Sequence, residues 1–147
     1  AVASALLFVV AVGCVGPSVG LDGGRLHDCP ATPNCVCSEG GPPTGDELGG
    51  DYIAPFVVPS GLDPREAFAR LESIVGAEAD VQARENGYFH AVFKTRLFRF
   101  RDDFEARLAA EEGLIHVRSA SRLGLSDLGM NRRRTERMRR AYEAANQ

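Results

Sequence analysis

The strongest constraint on the fold of this chain is a series of strand-like segments joined by very short links between residues 81 and 122. The link Asn86-Gly87 is the clearest hairpin signal, because both residue types accept the positive φ angles of a two-residue turn. Strands joined by such short links pair antiparallel, since a parallel pair needs a long crossover. The sequence therefore predicts an antiparallel sheet with strands at residues 81–85, 88–94, 97–108 and 114–122.

One more strand and a first helix precede this sheet. The strand, at residues 52–58, is expected at an edge because Pro55 has no backbone N–H to donate. Asp63 is a capping residue, Pro64 occupies the first helical position, and Glu66 would complete a capping box. The helix is predicted to end at Gly76, and its apolar stripe consists of Phe68, Leu71, Ile74 and Val75.

The last predicted element is a basic helix from Asn131, as its N-cap, to about residue 145. Its inner stripe is expected to consist of Met138, Ala141, Tyr142 and Ala145. The element order is then β-α-β-β-β-β-α. We therefore expect an α+β fold, in which a curved antiparallel sheet carries its helices on one face.

The N-terminal part of the chain is predicted to lie outside this domain. Residues 1–16 are apolar and uncharged, and Cys14 stands among small residues, as in a bacterial lipoprotein leader with an acylated cysteine. A cleaved signal peptide and an uncut membrane anchor are the alternatives. Residues 17–50 are rich in glycine and proline and are expected to form a tether or strap, which leaves residues 51–147 for one α+β domain. The N-terminus is thus expected to export the protein and attach it to a membrane.

Three further cysteines lie close together within this tether. Cys29 and Cys35 are spaced to close a small loop, and an exported protein meets the oxidising conditions in which disulfides form. Such a pair leaves Cys37 as an odd thiol. The alternative is a zinc site made of His27 and the three cysteines, but their spacing matches none of the usual structural zinc patterns. A Cys29–Cys35 disulfide without a metal is the favoured interpretation.

The strand at residues 97–108 carries a carboxylate on its apolar face. Alternation places Asp102 in one row with Phe100 and Phe104, whereas Asp103 and Glu105 face the other way. A carboxylate on a core face is costly unless it is paired or hydrogen-bonded. The expected partners of Asp102 are Ser119, Ser121, the start of the last helix and, as its cation, Arg132.

The next strand and loop supply the other candidate residues. Arg118 and Arg122 are predicted on the charged face with Asp103. The arginines at 132–134 oppose the helix macrodipole, so they either bind an anion or pair with acidic neighbours, and the second reading is favoured. The candidate ligand-binding residues are Asp102, Asp103, Arg118, Ser119, Ser121, Arg122, Asp127, Asn131 and Arg132.

Several of these segments together resemble one family. They are Cys29-Pro30, residues 33–36, Tyr52-Ile53, residues 100–105, and residues 118–122 followed by 127–132. From about Leu26 onward the chain is similar to the domain of unknown function family 1499 of bacteria and photosynthetic eukaryotes. The resemblance implies an exported or membrane-associated domain, in the periplasm, at the cell surface or in the thylakoid lumen, and it carries no established reaction.

The favoured function is a membrane-tethered domain that binds a small ligand, a lipid or a partner protein without catalysis and without a cofactor. A net charge of -3 argues against generic nucleic-acid binding, and a small anion, a lipid or a membrane protein is the expected partner. One alternative is a hydrolase-like enzyme using the Asp/Ser/Arg cluster, although His116 is predicted on the strand face opposite Ser119 and Ser121. The other is an assembly subunit of a membrane complex.

Overall fold

The computed structural model describes residues 18–42, 50–95 and 100–147. The predicted leader at residues 1–16, with the lipidation site Cys14, lies outside these residues. The elements, in chain order, are β1 (Leu21–Asp22), β2 (Arg25–Leu26), β3 (Cys35–Cys37), β4 (Phe56–Val57), α1 (Pro64–Gly76), β5 (Asp80–Glu85), β6 (Tyr88–Lys94), β7 (Arg101–Ala109), a 3-10 turn (Ala110–Glu112), β8 (Leu114–Ser121) and α2 (Met130–Ala145).

The described strands confirm an α+β fold with an antiparallel sheet. The main sheet has the order β3-β8-β7-β6-β5, and β4 pairs with β8 beside β3. Every strand pair in it is antiparallel, and the order of elements from β4 to α2 is the predicted one. Strands β1 and β2 form a separate two-stranded ribbon.

Strand β3 is an addition to the predicted order, because its residues lie within the predicted tether. All three of its residues are buried, and Cys35 pairs with Ala120 of β8. Strand β4 is shorter than the predicted strand at 52–58, since only Phe56 and Val57 pair with β8 after Pro55. The sheet thus extends into the segment that was expected to lie outside the domain.

Helix α1 has the predicted bounds and the predicted cap. The Asp63 carboxylate accepts hydrogen bonds from the backbone N–H groups of Arg65 and Glu66. The Glu66 side chain does not complete a capping box, because it forms a salt bridge with Arg70. Phe68, Leu71 and Val75 are buried, so this stripe faces the core as expected.

Helix α2 begins at Met130, so the predicted cap and stripe need correction. The N-cap residue is Gly129 with a φ of 75°, and Asn131 lies inside the first turn. The Asp127 carboxylate accepts the N–H groups of Gly129 and Asn131 and so satisfies the start of the helix. Ala141 and Ala145 are exposed. The buried side chains are instead Asn131, Arg134, Thr135, Met138 and Tyr142.

The hydrophobic core lies between the sheet and the two helices. Its sheet residues include Phe89, Phe93, Phe104 and Ala106, and α1 and α2 pack over them. We call this side of the sheet the inner face. On the other side, the outer face, residues 18–28 approach the sheet, and Leu26 packs with Cys37 and Tyr88.

The predicted disulfide between Cys29 and Cys35 is confirmed, and its Cα atoms lie 5.6 Å apart. Two of the four residues of the alternative zinc site are therefore bonded to each other. Cys37 is a free buried thiol, and burial raises its pKa.

We expect the double substitution Cys29→Ser and Cys35→Ser to lower the free energy of unfolding by about 2 kcal/mol. The disulfide closes a very short loop, and the chain entropy that it removes from the unfolded state is correspondingly modest. Urea unfolding at neutral pH measures the change. Reductant should destabilise the wild type by a similar amount and leave the double variant unaffected. Equal stability of the two proteins under oxidising conditions would contradict the prediction.

Candidate ligand-binding site

The pairing of β7 with β8 determines which candidate residues meet. Asp102 lies opposite Ser121, and Glu105 lies opposite Arg118. Alternation along each strand then separates the candidates into two groups. Asp102, Ser119 and Ser121 are on the inner face, under the start of α2. Asp103, Arg118 and Arg122 are on the outer face.

The cation that pairs with Asp102 is Arg134, and the prediction of Arg132 is wrong. Arg134 Nη2 lies 2.5 Å from Asp102 Oδ2, and both side chains are buried. The Arg134 guanidinium also lies 4.6 Å from the centre of the Phe93 ring, in a cation–π contact. Arg132 turns away and donates to the backbone carbonyls of Gly50 and Tyr52.

Asn131 links α2 to both β8 and the segment before β3. Its Oδ1 accepts hydrogen bonds from Ser119 Oγ at 2.6 Å and from Arg134 Nη1 at 2.8 Å. Its Nδ2 donates to Asn34 O at 3.0 Å and to Ser121 Oγ at 2.9 Å. Asn131 is fully buried, and these four contacts use its whole hydrogen-bonding capacity. Ser119 and Ser121 are thus engaged in holding the helix.

On the outer face, Asp103 is held by two partners. His90 Nε2 lies 2.7 Å from Asp103 Oδ1, and Arg122 donates from Nε at 2.9 Å and from Nη2 at 2.7 Å. Burial acts to raise the pKa of Asp103, but the hydrogen bonds from His90 and Arg122 outweigh it, and the pKa lies below its ordinary value. The hydrogen bond to Asp103 raises the pKa of Arg122. Asp103 and Arg122 therefore form an ion pair within the fold, and His90 is a further partner of the carboxylate.

A second outer-face cluster surrounds Glu105, which is fully buried. Its Oε1 accepts hydrogen bonds from Tyr88 Oη at 2.9 Å and Gly20 N at 2.7 Å, and its Oε2 accepts one from Arg118 Nη1 at 2.9 Å. Burial and the Glu105 charge raise the pKa of Tyr88. Arg118 Nη1 also donates to Ser18 O at 3.3 Å. The cluster thus ties residues 18–20 to the outer face of the sheet.

Glu39 and Arg134 are important polar residues that were not among the candidates. The Glu39 carboxylate accepts hydrogen bonds from Arg107 Nε at 2.8 Å and from Leu26 N at 3.2 Å. Burial acts to raise the pKa of Glu39, but hydrogen bonds from Arg107 and Leu26 lower it overall. A sequence signal existed for Arg134, because it lies three residues after Asn131 on the same helix face. Glu39 follows a short strand without periodicity and gave no such signal.

The serine–histidine arrangement of a hydrolase does not form from the predicted residues. Ser119 and Ser121 bond to Asn131, and His90 bonds to Asp103. Within the described part of the chain, it is Ser38 whose hydroxyl contacts a histidine, with Oγ 3.1 Å from His116 Nδ1. That hydroxyl accepts the N–H of Val117, and Ser38 is only 1% exposed. A buried hydroxyl with this environment is a structural partner of β8.

Beyond these clusters, the loop between β8 and α2 exposes apolar side chains. We call residues 123–130 the apolar loop. Leu123, Leu125 and Leu128 are 67%, 80% and 83% exposed, and Met130 is 40% exposed. Beside the loop is a groove of about 600 Å³, lined by Phe100, Leu123, Leu128 and Met130 and by the polar residues Thr95, Asp102, Ser121, Ser126 and Asp127. This groove lies at the sheet end that carries Asp102 and is a candidate site next to the exposed apolar side chains.

Two further features bear on the kind of site. Among the described residues, no group of three or more His, Cys, Asp and Glu side chains is arranged to hold a metal ion. None of the helices in the described ranges is long and apolar enough to cross a membrane.

Comparison with known proteins identifies a family but no characterised relative. No curated protein and no solved structure matches the chain. The family described as protein of unknown function (DUF1499) matches residues 25–142, a span that includes β2, the disulfide, the whole main sheet and most of α2. The chain therefore belongs to the DUF1499 family.

Proposed function

We propose that this protein is a non-enzymatic domain that lies at a membrane surface and binds a membrane lipid through the apolar loop and its groove. The observation that carries the proposal is the exposure and the backbone conformation of Leu128. This residue combines 83% exposure with a φ of 54°, and no other non-glycine residue in the described part of the chain has a positive φ.

Leu128 is unfavourable for stability on both counts. A left-handed backbone costs a leucine roughly 1 kcal/mol, and glycine or asparagine would relieve that cost. A large apolar side chain that stays exposed to water also contributes no hydrophobic stabilisation to the fold. Strain and exposed apolar surface that persist in a fold point to a function outside the folded core. An apolar ligand that covers Leu128 supplies such a function.

The groove has the size and lining that suit an acyl chain. Its volume of about 600 Å³ lies within the range of roughly 300–1,000 Å³ that is usual for small-molecule sites. Most of the exposed surface of its walls is apolar, although five polar residues contribute to the lining. The part of the ligand that enters it is therefore a hydrocarbon rather than a sugar or a nucleotide. Exposed Leu125 beside the groove would contact the bilayer surface from which the lipid comes.

Positive charge near the loop favours an anionic membrane. Arg133 is exposed and donates to Leu128 O at 2.7 Å, so its charge is held beside the loop. Arg101, also exposed, accepts the N–H of Arg122 through its carbonyl at the same end of the sheet. Lysine and arginine near an anionic leaflet contribute about 1 kcal/mol each. The apolar run at residues 1–16, expected to attach the chain to a membrane, would raise the local concentration of lipid.

We expect Leu128→Asn to reduce binding to anionic vesicles about tenfold or more. Removing a leucine that becomes buried forfeits roughly 1.5–3 kcal/mol, and 1.4 kcal/mol corresponds to a factor of ten. Asparagine tolerates the left-handed backbone, so the variant should be at least as stable as the wild type. Co-sedimentation of a fragment of residues 18–147 with phosphatidylglycerol-containing vesicles measures the effect.

The matched control is Val57→Asn, which removes a similarly exposed apolar side chain (66%) from β4. It should bind vesicles like the wild type. Failure of the wild-type fragment to bind vesicles would refute the proposal, and so would equal weakening by the two substitutions. A fragment that ignores vesicles but captures a purified membrane protein would favour the assembly-subunit alternative.

A further inference from the structure

We infer a second binding site, for a small carboxylate, at the Nε–Nη2 edge of Arg118 on the outer face of the sheet. This site is separate from the apolar loop and does not depend on the function proposed above. Arg118 is only 2% exposed and projects from the middle of β8.

Arg118 has more hydrogen-bond donors than the fold uses. Its Nη1 donates to Glu105 Oε2 and to Ser18 O, whereas its Nε has no acceptor among the described residues. Every other buried side-chain nitrogen and oxygen in the described ranges has a partner. A buried donor left without an acceptor costs about 1–3 kcal/mol, so the unpaired Arg118 Nε in the interior calls for a ligand.

A cavity of about 760 Å³ adjoins Arg118. It lies between the sheet and the segment that carries β1, β2 and the disulfide, and its lining includes Ser18, Leu26 and Cys29. The disulfide and the contacts of residues 18–20 with Glu105 and Arg118 fix these walls. Its charged lining residues are Asp22, Arg25, Asp28 and Arg118, and a cavity of this volume with a few polar groups in its lining is the usual form of a small-molecule site.

The chemistry of the edge favours a carboxylate. Nε–H and Nη2–H of a guanidinium point in parallel and match the two oxygens of a carboxylate in a bidentate pair. Glu105 already offsets the charge of Arg118, and the cavity is also lined by Asp22, Asp28 and Arg25, whose guanidinium pairs with Glu39. A doubly charged phosphate would meet these acidic groups, whereas a monoanion adds only one charge. The geometry therefore points to a small monocarboxylate.

The test is a titration of the chain of residues 1–147, labelled with ¹⁵N in detergent micelles, with sodium acetate. We expect the Arg118 Nε–H resonance and the amides of Leu26 and Cys29 to shift in a saturable way. Sodium chloride at matched ionic strength should give no such shift, and inorganic phosphate should bind at least tenfold more weakly. Arg107 is an internal control, because its Nε and Nη2 already donate to Glu39; its Nε–H resonance should not respond.

Arg118→Lys keeps the charge beside Glu105 but removes the planar edge, so it should abolish the acetate response of Leu26 and Cys29. If this variant does not fold, the wild-type titration decides alone. An unresponsive Arg118 Nε–H would overturn the inference. So would an equal response to chloride, or phosphate binding as tight as acetate binding.

Discussion

Arg134→Met is expected to lower the free energy of unfolding by about 3–5 kcal/mol. Methionine fills much of the space of the arginine stem but leaves the Asp102 carboxylate buried without a cation. Asp102 is 3% exposed, and the contact with Arg134 Nη2 is its one ion pair among the described residues. The substitution also removes a donor from Asn131 Oδ1 and the cation over Phe93. Urea unfolding at neutral pH, followed by circular dichroism, measures the loss.

Two controls separate the cost of the unpaired charge from the loss of the arginine itself. The double variant Asp102→Leu with Arg134→Met removes both charges and should recover most of the loss, because a hydrophobic pair replaces a buried ion pair at little cost. Arg137→Met breaks the Glu78 pair, whose side chains are about half exposed, and should cost less than about 1 kcal/mol. A cost for Arg134→Met as small as that for Arg137→Met would show that Asp102 does not depend on its cation.

The parts of the fold that the sequence predicted are those with local signals. The Asn86-Gly87 turn and the strands on either side follow from residue types within a few positions. Helix α1 likewise has the start at Pro64 and the end at Gly76 that its capping residues indicated. Alternation along β7 was sufficient to place Asp102 apart from Asp103, because the two faces of a strand are fixed by the backbone.

Partners across the sheet were harder to predict, as the Asp102 pair shows. An α-helix turns about 100° per residue, so Arg132 and Arg134 lie about 200° apart and face opposite directions. To choose between them, one must know which face of α2 packs on the sheet. The spacing of Asn131, Arg134, Thr135 and Met138 marks the buried face, but its first members are polar and were not counted in an apolar stripe.

Strand β3 had no local signal at all. Its three residues lie between proline- and glycine-rich stretches, and the strand exists because β8 offers a free edge and the disulfide holds Cys35 in place. The contacts of residues 18–20 with Glu105 and Arg118 join positions more than 80 residues apart. Such long-range contacts depend on the assembled sheet, and no pattern within the segment encodes them.

The structure also changes how the candidate residues are interpreted. Asp103 pairs with Arg122, and Asp102 pairs with Arg134, so these carboxylates neutralise arginines within the fold. Two openings lie beside these clusters. One is the groove next to the apolar loop, and the other is the cavity next to the unpaired Nε of Arg118. The polar candidate residues therefore stabilise the fold, and the two proposed ligand sites lie beside them.

Asn131 connects α2 to β8 and to the segment before β3, and Asn131→Leu is expected to lower the free energy of unfolding by about 3 kcal/mol or more. Leucine branches at the same atom but is larger, and it cannot bond with Asn34 O, Ser119 Oγ, Ser121 Oγ or Arg134 Nη1, which Asn131 now satisfies. Each buried group left without a partner costs about 1–3 kcal/mol, although the hydroxyl groups can reorient. Urea unfolding at neutral pH provides the measurement.

The matched control for Asn131→Leu is Thr135→Val, one turn further along α2. Thr135 is as fully buried as Asn131, but its hydroxyl makes one hydrogen bond, to Asn131 O within the helix. Its loss should cost about 1 kcal/mol. The combination of Asn131→Leu with Ser119→Ala should be clearly less destabilising than the sum of the single changes, because both remove the same contact. Additive effects, or a cost for Asn131→Leu no larger than that for Thr135→Val, would mean that packing of Met138 and Tyr142 holds α2 on β8 without help from the asparagine.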